Sequence, residues 1–165
     1  MRLLLFALVM LMPIGAWAQD YSEDYSKIIR VDSKDEAVWI FDTNADDILG
    51  DGTMSYDPTN NVLTLKGINL SCTTEDASFL TCVDYSNELN SPKIRLIGDN
   101  TITLGNNASF FNGYAITFMT GEGNSGSLTI NLQNGWNGML FKDDYQEIIP
   151  TYNDGLAYDS NSSKI

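Results

Sequence analysis

Beyond its first apolar run, this chain alternates apolar and polar positions in short bursts. In "VLTLKGINL", Leu63, Leu65, Ile68 and Leu70 point one way. In "IRLIGDNTITL", Ile94, Leu96, Ile102 and Leu104 do so. In "AITFMTGEGNSGSLTINL" the set is Ile116, Phe118, Leu128, Ile130 and Leu132, and in "GMLF" it is Met139 and Phe141. A period of two means strands with one buried face. No segment holds a capped helical period. The pattern predicts an all-β domain that begins with the strand Val38–Phe41.

The bursts recur. Ile94 to Ile116 spans 22 residues, Ile116 to Met139 spans 23, and Leu63 to Ile94 spans 31, the last lengthened by the segment that carries both cysteines. A unit of two or three short strands cannot hide its own apolar face, but a copy stacked on it does so. This predicts a short parallel β-helix, with Asn100, Asn106, Asn124 and Asn134 at corners that suit left-handed backbone and bonds to the next rung. The alternative is an antiparallel β-sandwich or jelly roll, which also shows short strands punctuated by turns.

The ends divide the chain. Residues 1–18 have the form of a signal peptide: Arg2, the apolar "LLLFALVMLM" and the small-x-small "AWA". Residues 19–36 are polar and acidic and read as a flexible leader. The β-helix domain is expected over 37–150, and 151–165 as a C-terminal tail. The implied location is secreted: periplasmic, cell-surface or extracellular. The apolar run is too short for a membrane span.

Without the first 18 residues, Arg2 is lost, leaving 22 acidic against 8 basic residues, a net charge of −14. That charge repels nucleic acid and anionic membrane. There is no histidine, which excludes imidazole bases, Ser-His and Cys-His nucleophiles and His-ligated zinc. Two cysteines, Cys72 and Cys82, would form a disulfide in a secreted chain, worth about 3 kcal/mol; two free thiols are the other reading.

The phrases "LGDGTMSYDPTNNVLTL", "GDNTITL" and "GEG…SLTI", within Val38 to Leu132, resemble a family of secreted bacterial carbohydrate-binding domain proteins. The resemblance implies a right-handed parallel β-helix that binds polysaccharide such as polygalacturonate and cellulose and carries calcium. It brings no catalytic residue. The family's helices usually run for more turns than this chain supplies, and Ser71–Pro92 is an insertion relative to it.

Several residues are candidates for the ligand surface. Asn69, Thr101, Thr103, Thr129 and Asn131 face outward if the apolar set faces inward, and stacked they would offer hydroxyls and amides to a glycan. Ordinary β propensity also accounts for threonine there. Trp136, Tyr114, Tyr145 and Phe111 could pack on sugar rings; Phe110, Phe118 and Phe141 are expected in the core, and burial there is the competing role for Trp136. For calcium, "DTNADDILGD" offers Asp42, Asn44, Asp46, Asp47 and Asp51. It fails as an EF-hand, since position six is Asp47 where glycine is needed and position twelve is Thr53. Asp143, Asp144 and Glu147 form a second acidic cluster, and both clusters are equally well read as solvated turns.

These features point to a non-catalytic polysaccharide-binding module, calcium-assisted or not, acting as a monomer or within a larger surface assembly. A structural or adhesin-like surface protein without glycan specificity is the alternative. A polysaccharide lyase built on Lys66, Lys93 and Arg95 is the third reading, weakened because nothing marks a carboxylate beside them to hold a metal.

Overall fold

The computed structural model describes residues 24–83, 91–121, 123, 125–143, 146–160 and 164–165. The expected signal peptide lies outside them, as does the start of the expected leader. The described residues are all β: β1 (Asp24–Ile29), β2 (Val38–Phe41), β3 (Met54–Asp57), β4 (Val62–Lys66), β5 (Asn69–Cys72), β6 (Ser78–Cys82), β7 (Lys93–Leu104), β8 (Ser109–Asn112), β9 (Thr117–Thr120), β10 (Gly126–Leu132), β11 (Phe141–Asp143), β12 (Gln146–Glu147) and β13 (Thr151–Tyr152). No helix among them is long and apolar enough to cross a membrane.

The middle of the fold is built from parallel pairs. The first half of β7 lies between β4 and β9, with Leu63 opposite Ile94 and Ile94 opposite Phe118. Its second half lies between β5 and β10, with Leu70 opposite Ile102 and Ile102 opposite Ile130. β6, β8 and β11 stack likewise, Leu80 opposite Phe111 and Phe111 opposite Phe141. Among the described strands the antiparallel pairs are β1 with β2 and β6, β3 with β4, and β11 with β12. The sheets are therefore mixed, and their parallel middle is not the pairing of an antiparallel sandwich.

Alternation holds with small exceptions. Leu63, Leu65, Ile94, Leu96, Ile102, Leu104, Phe118 and Leu128 are wholly enclosed, whereas Leu70 is half-buried and Leu132 exposed. Ile94 pairs with Phe118, two residues beyond the Ile116 that spacing suggested, and Met139 lies just ahead of β11 in a different stack. A slip of two keeps every side chain on its own face, so the apolar pattern could not detect it. Five rings fill the centre: Phe79 meets Phe110 at 5.4 Å, Phe110 meets Phe118 and Phe141 at 5.7 and 5.8 Å, and Tyr152 stacks on Phe118 at 5.7 Å.

Asn100 joins three neighbouring strands from inside. It is almost wholly buried. Its Oδ1 accepts from the Ile68 N–H at 3.1 Å, and its Nδ2 donates to the Ser127 carbonyl at 3.0 Å and the Gly98 carbonyl at 3.1 Å. The corner role expected of it thus reaches strands on both sides. The other corner is displaced by one: Asn107, not Asn106, takes the left-handed conformation, at φ 56°, and Gly135 takes it where Asn134 was expected. Asn124 lies outside the described residues.

Two expectations about the ends are corrected. The leader is not loose from Asp24 onward: β1 pairs with both β2 and β6, and Lys27, Ile29 and Val31 are buried. The polar composition hid it because Lys27 itself faces inward, its ammonium 4.9 Å from the centre of the Tyr56 ring and donating to the Tyr25 carbonyl. At the other end, the expected tail supplies β13, parallel to β9, and Ile165, which is buried and exchanges two backbone hydrogen bonds with Leu128.

The expected disulfide is likewise absent. Cys72 and Cys82 are free, buried thiols. Cys72 sits on β5 beside Leu104, and Cys82 on β6 beside Lys27, in different sheets. Each is enclosed by its own stack, which separates two residues that are close in sequence.

Candidate functional site

The outward column expected on β5, β7 and β10 is in register. Asn69 lies opposite Thr101 and Thr101 opposite Thr129; Ser71 lies opposite Thr103 and Thr103 opposite Asn131. Neighbouring strands stand about 4.8 Å apart, so these side chains form two short rows across three strands. Asn69 and Asn131 are exposed and the threonines partly so. The rows are bounded. Asp32 accepts from the Thr73 N–H and hydroxyl at one end, and Lys164 bridges to Thr129 at the other.

Two clefts, unforeseen as enclosures, lie elsewhere. The first, about 470 Å³, is walled by Trp136, Met139, Tyr152 and Tyr158 among others, with Ile149 and Pro150 on its rim. Ile149 is 92% exposed, the most exposed large apolar side chain described. Trp136 reaches this wall because its segment turns at Gly135 (φ 84°) and its indole N–H donates to the Ala108 carbonyl at 2.8 Å. That bond fixes the ring and leaves its π surface for packing. Tyr152 is held by stacking on Phe118. Burial, with Tyr158 adding to it, pushes the Tyr152 phenol up to about 12, so it stays a neutral donor at physiological pH. Glu147, on β12, supplies a carboxylate.

The second cleft, about 590 Å³, is lined by Asp76, Asn107, Asn112, Asn137 and Lys142, and shares Gly138 and Met139 with the first. Gly138 passes close to the neighbouring backbone there: a Cβ would stand 3.0 Å from the Asn107 carbonyl oxygen. One wall thus separates an aromatic cleft from an amide-lined one. Both volumes fall in the range of small-ligand sites.

Of the aromatic candidates, Trp136 alone lies in a cleft. Phe111 is completely buried, packed where β8 meets β11, and is corrected from ligand surface to core. Tyr114 is half exposed but lines neither cleft. Tyr145 lies outside the described residues. Thr103, Thr129 and Asn131 belong to the rows on β7 and β10, a separate surface. Sequence reasoning missed Tyr152 and Tyr158 altogether; their clustering late in the chain was the available signal.

The acidic loop is built for its own shape. Asp47 Oδ1 accepts from the N–H groups of Gly50, Asp51 and Gly52 at 2.9–3.0 Å, with both glycines at positive φ. Asn44 accepts from the Phe41 N–H and donates to the Trp39 carbonyl. Among the described residues no three Asp, Glu or Cys side chains gather as a metal-holding group. Of the residues considered for calcium, Asn44 and Asp47 each turn a side-chain oxygen onto the loop's own backbone N–H groups. Asp144 lies outside the described residues.

Lys93 and Arg95 do project from β7, but opposite them on β9 stand Thr117 and Met119. No carboxylate faces the bases across that strand.

No family model, curated protein or solved structure matches this chain.

Proposed function

We propose that this chain is a non-catalytic polysaccharide-binding module built on a short right-handed parallel β-helix. The observation that carries the function is the shared Gly138–Met139 wall, with Trp136, Tyr152 and Tyr158 on one side and Asn107, Asn112 and Asn137 on the other. Aromatic faces pack on the C–H faces of pyranose rings, and amides exchange hydrogen bonds with ring hydroxyls. A chain longer than one sugar would span both clefts.

Three parallel registers support the β-helix reading: β4–β7–β9, β5–β7–β10 and β6–β8–β11. The chain visits the three stacks in the same order each time, and parallel crossovers are overwhelmingly right-handed. The resemblance noted above agrees with both fold and ligand class. The signal-like first 18 residues agree with a secreted location, where polysaccharides are met.

Affinity electrophoresis in gels containing pectin, cellulose derivatives, mixed glucans or a chitosan tests the proposal. Retardation by at least one, weakened by Trp136→Ala and by the exposed substitution Asn137→Ala, is the expected result. Equal mobility in every gel would leave a structural surface protein as the better reading.

A further inference from the structure

Building on the glycan reading, we infer that the aromatic cleft selects a sugar carrying a protonated amine, as in a deacetylated amino-sugar polymer. Four aromatic rings, Trp136, Phe141, Tyr152 and Tyr158, line this cleft, and Glu147 is the charged side chain among them. No lysine or arginine lines it among the described residues. A uronate or sulfate would meet a carboxylate there and no counter-charge.

An ammonium group finds two complementary partners. The faces of tryptophan and tyrosine carry negative potential that attracts a cation, an effect strengthened where water is displaced. Trp136 offers its π surface because its N–H is already bonded to Ala108. Tyr152 has one face on Phe118, so its other side is the one available to the cleft. Glu147 is exposed on β12 and provides a charge-assisted acceptor.

Long-range charge points the same way. The full sequence carries a net charge of −13, with 22 acidic residues against 9 basic ones. Such a field draws in a polycation and repels a polyanion. The resemblance implies acidic polysaccharide as a ligand; this cleft has the opposite chemistry.

Titration calorimetry on the full chain, at a mildly acidic pH where the sugar amine is protonated, tests the inference. The probes are glucosamine oligomers, their N-acetylated counterparts, neutral gluco-oligosaccharides and a lysine-rich peptide. Glucosamine oligomers are expected to bind at least about tenfold tighter than the acetylated ones. Glu147→Gln, an exposed substitution whose folding is checked by its melting curve, is expected to weaken that binding about tenfold. Equal affinity for acetylated or neutral oligomers would overturn the amine selectivity while leaving the glycan reading intact. Binding of no oligosaccharide, or of the peptide alone, would overturn both.

Discussion

Replacing Asn100 tests how the stacked strands are tied together. Asn100→Ala removes one acceptor and two donors from a site that is 1% exposed. The Ile68 N–H loses its 3.1 Å bond and the Ser127 carbonyl its 3.0 Å bond. An orphaned buried donor or acceptor costs about 1–3 kcal/mol, and the carbonyl's second lone pair softens its share. The expected loss is about 2–4 kcal/mol, a large part of the roughly 5–15 kcal/mol typical of a domain. In urea this moves the unfolding midpoint down by about 1–2 M at an ordinary m-value. Asn100→Asp separates donor from acceptor. Its carboxylate still accepts from Ile68 but turns a second oxygen toward the Ser127 and Gly98 carbonyls. Burial and those carbonyls raise its folded pKa above the unfolded value of about 3.9. Stability is therefore greatest below that value and is lost as pH rises through the folded pKa. A midpoint for Asn100→Ala within about 0.5 kcal/mol of the parent, or an Asn100→Asp protein more stable at neutral than at acid pH, would refute the reasoning.

Other substitutions probe packing and titration. Gly126→Ala would put a Cβ 2.2 Å from the Leu96 carbonyl oxygen, so the backbone must shift; a drop of about 3 kcal/mol in thermal or urea unfolding is expected. Ile165→Ala, at a side chain buried against β10, should cost about 2 kcal/mol on the same measurement. Burial pushes the Cys72 and Cys82 thiols up to about 11 from 9, so the stability they confer is complete below pH 9 and is lost as pH rises toward 11. Each contributes a slope of about 1.4 kcal/mol per pH unit in that window. Lys27 opposes them, because burial lowers its pKa and its contribution grows as pH rises toward 10.5. Urea midpoints collected across that alkaline window should fall, and fall less steeply once both cysteines are replaced by alanine.

Much of the fold was legible because its signals are local. Period-two patterning identified the β7 and β10 interiors, and parity alone assigned Thr101, Thr103 and Thr129 to an outer face. Local turn chemistry is equally readable in the structure: Gly50 and Gly52 take positive φ, and Asp57 accepts from the N–H groups of Thr59 and Asn60 beside Pro58. What misled was composition. "DYSKII", set in a polar and acidic stretch, reads as solvated leader, yet it forms an interior strand of a sheet, since Ile29 and the lysine stem supply enough apolar surface to be buried. The cysteines misled for a related reason: ten residues of separation suggests a loop, but strands β5 and β6 belong to different stacks and carry the two sulfurs apart.

The clefts were illegible for a deeper reason. A cleft is made by the relation between segments, and no property of "NGWNG", "IIPTY" or "GLAY" alone says that they converge. Trp136 could be singled out because tryptophan beside a Gly-Asn corner is locally conspicuous, whereas Tyr152 acquires its role only through β13 docking parallel to β9 and its ring settling on Phe118. The same docking explains why the site gathers at the C-terminal end. There the stacks finish in two-residue strands, β12 and β13, so side chains that an additional rung would cover stay partly open. Ile149 on the rim is the residue most exposed by that ending. On this account the clefts arise where long parallel strands give way to two-residue ones, and the repeats that specify the scaffold carry no trace of them.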